Sequence, residues 1–294
     1  MRSSLCTLVF AAALAGPFDA SQPAIAVSAH ARAFVPGELV VLSISLPHNV
    51  EPADRPHLSA FGRDVPAFPT SSREWEALVG IDLDAKPGVY PVAIDSRSAA
   101  GPLTAAYDLQ VRPHKFPTRT LHVDEAFVNP PPDAQARIER EAIELHRLYD
   151  ASATERFWRD PFVVPVPGQA VSRFGTRSIF NGQPRNPHTG ADFLSPAGTP
   201  IHAPAAGRVV LARDQYFSGN TVLIDHGLGL SSLLAHLSSI SVHEGDMVAA
   251  GTVVGLVGAT GRVTGPHLHW AVRLNNARVD PLSLLAVLGP NAAK

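Results

Sequence analysis

The sequence predicts an all-β protein: an N-terminal small β-sandwich (Ig-like) and a second strand-rich region, joined by a connector with one amphipathic helix. Three observations point there. Residues 24–113 read as short strands at regular spacing, separated by Pro/Gly turns. Residues 114–160 hold a proline break and then one run with helical spacing. Residues 161–287 return to short β-branched runs punctuated by glycine. A length of 294 residues suits two domains.

Residues 1–20 read as a secretory leader. Arg2 supplies the positive charge, and Leu5 to Leu14 is an apolar run too short to span a membrane. Ala13-Leu14-Ala15 is an A-x-A exit, with Ala20 and Ala26 as weaker alternatives. The single cysteine, Cys6, lies inside the apolar run and not after it, unlike a lipid-acylation site, and permits no intrachain disulfide. The expectation is export across the inner membrane to the periplasm or cell envelope, with no membrane span in the mature chain. A net charge of −2 gives no electrostatic case for nucleic acid or an anionic membrane as partner.

Within the sandwich, Ala26 to Ala33 alternates, Pro36-Gly37 marks a turn, and Leu39 to Leu46 alternates again. Gly80-Ile81-Asp82-Leu83 precedes the turn Lys86-Pro87-Gly88, and Val89 to Ile94 follows. No cluster of ligands or nucleophiles occurs there. In the connector, Asn129-Pro130-Pro131-Pro132 is a stiff break, and Asp133 is positioned as an N-cap. From Ala134 to Tyr149, Ile138, Ala142, Leu145 and Leu148 recur at helical spacing. His146, alone on that helix, reads as a surface residue. Further on, glycines such as Gly175, Gly190, Gly198 and Gly207 are spaced like tight turns. Val209 to Ala212 and Thr221 to Ile224 fit buried strands.

The chemistry concentrates in scattered histidines and one aspartate. His188 and Asp192 form H-x-x-x-D, His267-Leu268-His269 forms H-x-H, and His236 lies between them in sequence. A catalytic zinc site takes three protein N/O/S ligands and leaves a fourth position open. On a strand, residues two apart share a face, so His267 and His269 look into one cleft while Leu268 faces the core. One of the pair can bind metal while the other stands beside it. Thirteen histidines make chance pairs common, so the surrounding framework decides how much weight these carry.

That framework runs through Arg173-Phe174-Gly175, His188-Thr189-Gly190-Ala191-Asp192-Phe193, Pro196-Ala197-Gly198-Thr199-Pro200 and Ala203-Pro204-Ala205-Ala206-Gly207. It continues through Asp225-His226-Gly227, Ala235-His236-Leu237-Ser238, Gly245-Asp246 and Gly258 to His269. Over residues 161–287 it resembles the LytM/lysostaphin-type zinc metallopeptidases, which are peptidoglycan endopeptidases. The resemblance implies a compact antiparallel β domain with a groove walled by loops. It implies Zn2+ held by His188, Asp192 and His269, with His236 and His267 as catalytic histidines. One of these takes a proton from water, and the other stabilises the oxyanion or protonates the leaving amine. It also implies peptidoglycan peptides as partners. Where many relatives carry a tyrosine and an acid, this chain has Leu234 and Ala271.

The remaining candidates read as structural. His226 closes a strand, His202 and His243 are surface residues, and Asp225 and Asp246 are turn residues. Gly261-Arg262-Val263-Thr264-Gly265 shapes the groove. Arg185 and Asn186, just ahead of His188, belong to a solvated loop within reach of substrate. Two other readings compete with a peptidoglycan endopeptidase. One is a non-enzymatic regulator that activates other wall hydrolases; the other is a zinc peptidase acting on proteins, such as glycine-rich ones. An intramolecular cover of the groove by the N-terminal region is a further expectation.

Overall fold

Alternating apolar and small residues build seven strands from β1 (Ala26–Ala31) and β2 (Leu39–Ser45) through β3 (His57–Ala60), β4 (Arg63–Pro69), β5 (Glu74–Gly80), β6 (Gly88–Ser98) and β7 (Gly101–Val111). They come from a computed structural model that describes residues 25–47, 54–98, 101–122, 130–171 and 174–292. The leader expected at residues 1–20, with Cys6, lies outside the described residues, as do Arg173 and Asn129. The strand order β1-β2-β5-β4-β3-β6-β7 is that of a constant-type immunoglobulin sandwich, one leaf passing into the other through the β3–β4 hairpin. Near the start of β6, the Tyr90 hydroxyl donates to the Lys86 carbonyl at 2.8 Å, a tyrosine corner. The sequence reading found β1, β2 and β6 but not β3, β4 or β7, and its run Gly80-Ile81-Asp82-Leu83 begins where β5 ends.

Strand β2 explains its own run of apolar residues. Val40, Leu42 and Ile44 face the sandwich core, while Leu39 and Val41 face outward. That outer face, with Phe68 and Leu78, merges with the core of the C-terminal region. A strand buried on both faces needs apolar residues at consecutive positions.

The connector differs from its expectation in two ways. First, it contains a strand, β8 (Thr118–Leu121), which pairs in parallel with β9 (Arg177–Phe180) and, through it, with β10 (Gln183–Pro184). Second, helix α1 (Pro132–Asp150) starts one residue before Asp133. Pro131 is the N-cap residue, Pro132 is at N1, and Asp133 lies in the first turn. Proline suits N1 because its missing N–H has no intrahelical partner there, and a carboxylate favours the helix N-terminus. Of the expected stripe, Leu145 and Leu148, joined by Tyr149, pack on the sheet, whereas Ala142 is exposed. His146 is exposed, as expected.

The C-terminal region is a nine-stranded antiparallel sheet of β11 (Gly190–Phe193), β12 (Pro200–His202), β13 (Gly207–Gln215), β14 (Gly219–Gly227), β15 (Leu230–Ile240), β16 (Met247–Val248), β17 (Val253–Val257), β18 (Leu268–Leu274) and β19 (Ala277–Val279). Its spine is β11-β18-β15-β14-β13-β16. One face carries Phe193, Leu234, Leu268 and Trp270 into the main core. The other carries Leu211, Leu223, Leu233, Ala235 and Ala271, covered by α1. A second helix, α2 (Pro281–Leu288), follows where the sequence reading expected strands only. Asp280 caps it by accepting from the Leu282 N–H at 3.0 Å. Several glycines read as turn formers lie in strands at close approaches instead, Gly190, Gly207 and Gly255 among them.

Two polar clusters lock the sandwich to the C-terminal region. Glu38, nearly buried, binds Arg32 and accepts from Ser283 Oγ at 2.7 Å, while Arg32 also reaches Asp280 at 2.8 Å. Arg278 bridges Asp82 and Asp84.

Candidate metal centre

The site is built on the register between β11 and β18. Asp192 pairs directly with His269, so both side chains leave the same face of the sheet. His188 sits just before β11. Its N–H donates to the Thr176 carbonyl at 3.0 Å, and its own carbonyl accepts from the Gly175 N–H at 2.7 Å. These two bonds pin the segment and swing the ring over the strand pair. The result is a triangle of donor atoms: His188 Nε2 to Asp192 Oδ1 at 3.1 Å, His188 Nε2 to His269 Nδ1 at 3.0 Å, and His269 Nδ1 to Asp192 Oδ1 at 2.9 Å.

That triangle fits a divalent metal. Ligand bonds of about 2.0–2.1 Å in tetrahedral geometry place ligand atoms only slightly farther apart than this. Two imidazole nitrogens and a carboxylate oxygen converge, and neutral rings cannot supply a proton to every edge of the triangle. His188 Nδ1 is buried with no partner among the described residues. Burial pushes the Asp192 carboxyl up, but bonds from His188 and His269 outweigh this and hold it well below the usual carboxylate range. His269 is pushed down by burial against the opposing pull of Asp192. Both shifts favour the deprotonated forms that ligate metal.

Gly190 has a role that the sequence reading did not assign. It lies two pairs along, opposite Ala271 and on the same face, and a Cβ there would meet the Trp270 carbonyl oxygen at 2.5 Å and His269 Cε1 at 2.6 Å. Only glycine leaves room for the His269 ring. The general signal, a glycine inside a strand, marks close approach, but the strand had to be recognised first.

His236 reaches the site by a bulge. Ala235 pairs with His269, so regular alternation would turn His236 to the opposite face, beside Leu234 and Trp270 in the core. Instead β15 shifts register against β14 between its pairs with Asn220 and Val222, and His236 takes φ +68°. A bulge re-aims a side chain in this way. The ring then lies 4.8 Å from His267 and 6.0 Å from His269, centroid to centroid. His236 Nδ1 bonds the Thr260 carbonyl at 3.0 Å, and His267 Nδ1 bonds the Gly265 carbonyl at 2.9 Å. A carbonyl only accepts, so both rings carry their proton on Nδ1 and keep Nε2 as a lone pair. Burial, helped by His269, lowers the His236 pKa to about 4.

The five expected residues therefore assemble in one place, and the others do not join them. His226 is fully buried between the Ala206 carbonyl and Ser232 Oγ, a structural residue as expected. His243 is exposed, and Asp246 accepts from its N–H in a turn. His202 is half-buried against the Gly251 carbonyl and so is not freely solvated. Asp225 is not a turn residue. It is a buried carboxylate in β14 that takes the Ser152 hydroxyl at 2.6 Å and the Ala153 N–H at 2.8 Å, anchoring the end of the connector. Leu234 and Ala271 point into the two packed cores and leave the site untouched.

An antiparallel sheet presenting a His/Asp/His triangle beside two lone-pair imidazoles defines a metallohydrolase-like centre. Comparison with known proteins agrees. The model of peptidase family M23 matches residues 186–281. A crystal structure of a Pseudomonas aeruginosa protein assigned to peptidase M23 is 37% identical, with TM-score 0.66, over 86% of this chain and 95% of that one. The chain belongs to peptidase family M23. It is also 46% identical over 97 residues to the DD-carboxypeptidase/endopeptidase Mpg of Neisseria meningitidis. To the peptidoglycan DD-endopeptidase ShyB of Vibrio cholerae it is 40% identical over 96 residues. These matches cover 33% of this chain and 22% of either relative.

Proposed function

We propose that the protein is a zinc endopeptidase that hydrolyses peptide bonds in the cross-links or stems of peptidoglycan. The observation that carries this reading is the His188–Asp192–His269 triangle with the Nε2 atoms of His236 and His267 left as acceptors beside it. The names of the Neisseria and Vibrio relatives support the substrate class. On this reading His188, Asp192 and His269 hold zinc, and His236 and His267 are catalytic. Zinc bound there supplies Lewis acidity, polarising a carbonyl and making water nucleophilic near neutral pH.

The chain's own residues do the rest. His236 and His267, fixed through Nδ1, each present Nε2 as a proton acceptor. One takes the proton from the attacking water as its oxygen bonds to the carbonyl carbon. The protonated ring then stabilises the negative carbonyl oxygen or passes the proton to the nitrogen of the breaking C–N bond. The two rings share these duties. Asp192 stays ionised throughout and offsets the positive charge that gathers there.

The rest of the chain fits the same proposal. Residues 1–20 are the export leader, 24–113 the sandwich, 114–160 the connector and 161–287 the hydrolase, acting in the periplasm or cell envelope. No helix among the described residues is long and apolar enough to cross a membrane. The N-terminal region partly covers the groove. In support, β8 lies beside β9 on the approach to His188, and Phe116 packs where a Cβ on Gly175 would stand. On a soluble cross-linked peptide, Phe116→Ala should then raise turnover; unchanged turnover in a folded variant removes the cover.

The test of the main proposal is digestion of purified peptidoglycan by the full chain, with product masses. Fragments differing by one hydrolysed peptide bond, absent after chelation, are expected. Uncut peptidoglycan from a zinc-free protein would instead fit a non-enzymatic regulator.

A further inference from the structure

His236 holds a backbone conformation that its residue type disfavours. Its φ of +68° lies in the left-handed region, which costs a non-glycine residue about 1–3 kcal/mol and persists only where the surroundings over-determine it. Asn220 pairs with Leu237 and Val222 with Leu234, so Ala235 and His236 of β15 together stand opposite Thr221 of β14. Such a bulge breaks the ladder locally, and its backbone groups need other partners.

Those partners come from two neighbouring loops. The His236 N–H donates to the Ser218 carbonyl at 2.9 Å. On the far side of the bulge, the Thr260 hydroxyl stands between the two strands. It accepts from the Asn220 N–H at 2.9 Å and donates to the Leu237 carbonyl at 2.8 Å, which Asn220 Nδ2 also reaches at 3.1 Å. The backbone carbonyl of the same threonine takes the Nδ1 hydrogen bond of the His236 ring at 3.0 Å. Thr260 therefore touches both the strand at the bulge and the ring that the bulge delivers. The fit is close: a Cβ on Gly219 would collide with the Thr260 hydroxyl, and one on Gly261 would meet the Phe217 carbonyl at 2.6 Å. That carbonyl also accepts from the Arg262 N–H at 2.9 Å, which ties the two loops together.

We propose that the Thr260 hydroxyl is the clamp that holds the β15 bulge and thereby fixes the His236 ring, which makes Thr260 a positioning residue for the hydrolysis. Its effect on turnover rests on the proposed peptidase reading; its effect on the ring rests on the contacts alone. Without the hydroxyl, the Asn220 N–H loses this acceptor and the Leu237 carbonyl one of its donors. The loop is then free to shift, and the Thr260 carbonyl no longer selects Nδ1 as the protonated nitrogen. A neutral ring that carries its proton on either nitrogen presents Nε2 as an acceptor only part of the time.

The test compares Thr260→Val, which keeps the branched shape and loses the hydroxyl, with Thr260→Ser, which keeps the hydroxyl. Thr260→Ala against Thr260→Ser repeats the comparison if the valine variant does not fold. The first readout is heteronuclear NMR of isotope-labelled histidine rings in the full chain after chelation, with His236→Gln to assign the signal. Wild type and Thr260→Ser should show His236 as one tautomer protonated at Nδ1, and the valine and alanine variants a mixture of two. The second readout is cleavage of a soluble cross-linked peptide by the zinc-loaded proteins. Loss of the hydroxyl should lower kcat by roughly 10- to 100-fold with KM and zinc content nearly unchanged, and serine should recover most of it. If no form cuts the peptide, the peptidase reading fails and the ring tautomer alone decides the clamp. A single Nδ1 tautomer retained in the folded valine or alanine variant, or equal kcat with and without the hydroxyl, overturns it.

Discussion

Asp192 and His269 are register partners on neighbouring antiparallel strands, and Asp192 Oδ1 lies 2.9 Å from His269 Nδ1. Two of the three donors in the candidate metal centre are therefore set by one strand pairing. A slip of β11 by one residue against β18 would turn Asp192 to the core face and part it from His269. Only His188 depends on a loop, and that loop is held by two backbone bonds to Gly175 and Thr176.

His236→Ala and His267→Ala should keep their zinc and lose roughly 100- to 10,000-fold in turnover, the usual contribution of a general acid or base. Neither ring belongs to the His188–Asp192–His269 group. Zinc content and turnover, measured on the same preparations, check this. Loss of zinc from either variant would move that histidine into the ligand set.

Gly190→Ala should weaken metal binding although the residue has no ligand atom. The new Cβ meets the Trp270 carbonyl and the His269 ring inside ordinary contact distance. The expected cost is about 1–3 kcal/mol in stability, with zinc affinity down roughly 10- to 100-fold as for a lost supporting contact. Titration against a zinc buffer reads this directly, and unchanged affinity would show that the ring has room to move.

Acid should destabilise the fold through His226. Burial holds its folded pKa at about 4, against an ordinary value near 6.5. A depressed histidine pKa contributes stability that is full above 6.5 and is lost as pH falls from there towards 4, because the unfolded chain takes up the proton first. The size is roughly 3 kcal/mol at most. Urea unfolding of the chelated protein between these pH values should show a slope one proton steeper than in His226→Gln; equal slopes would refute it.

Glu38→Ala should destabilise the whole chain by about 2–4 kcal/mol, since it leaves Arg32 and Ser283 without their shared carboxylate partner. Denaturant midpoints measure it. A loss under about 0.5 kcal/mol, the range of an ordinary surface change, would mean that the cluster adds little to the junction.

What the sequence made legible follows from how local each signal is. His267 and His269 were readable because strand alternation is local, and Leu268 does point into the core between them. The Ig-like sandwich was readable from turn spacing, although β3 and β4 were missed: His57–Ala60 has only four residues, and Arg63–Pro69 carries two prolines and an irregular burial pattern. The position of His236 was not readable from periodicity, since a bulge reverses its face; the resemblance supplied it. Asp225 was misread because its partners, Ser152 and Ala153, lie more than seventy residues away. Strand β8 was missed because a four-residue parallel partner for β9 carries no pattern of its own. Helix α2 was missed because PLSLLAVL is apolar on all sides and reads equally as a buried strand.

The account rests on the triangle of His188, Asp192 and His269, so the most direct measurement is metal content per chain. Mass spectrometry of natively purified protein should find one zinc per wild-type chain. His188→Ala, Asp192→Ala and His269→Ala, each folded, should hold far less and hydrolyse nothing. A zinc-free wild type, or a His269→Ala protein that keeps its full zinc, would contradict the assignment.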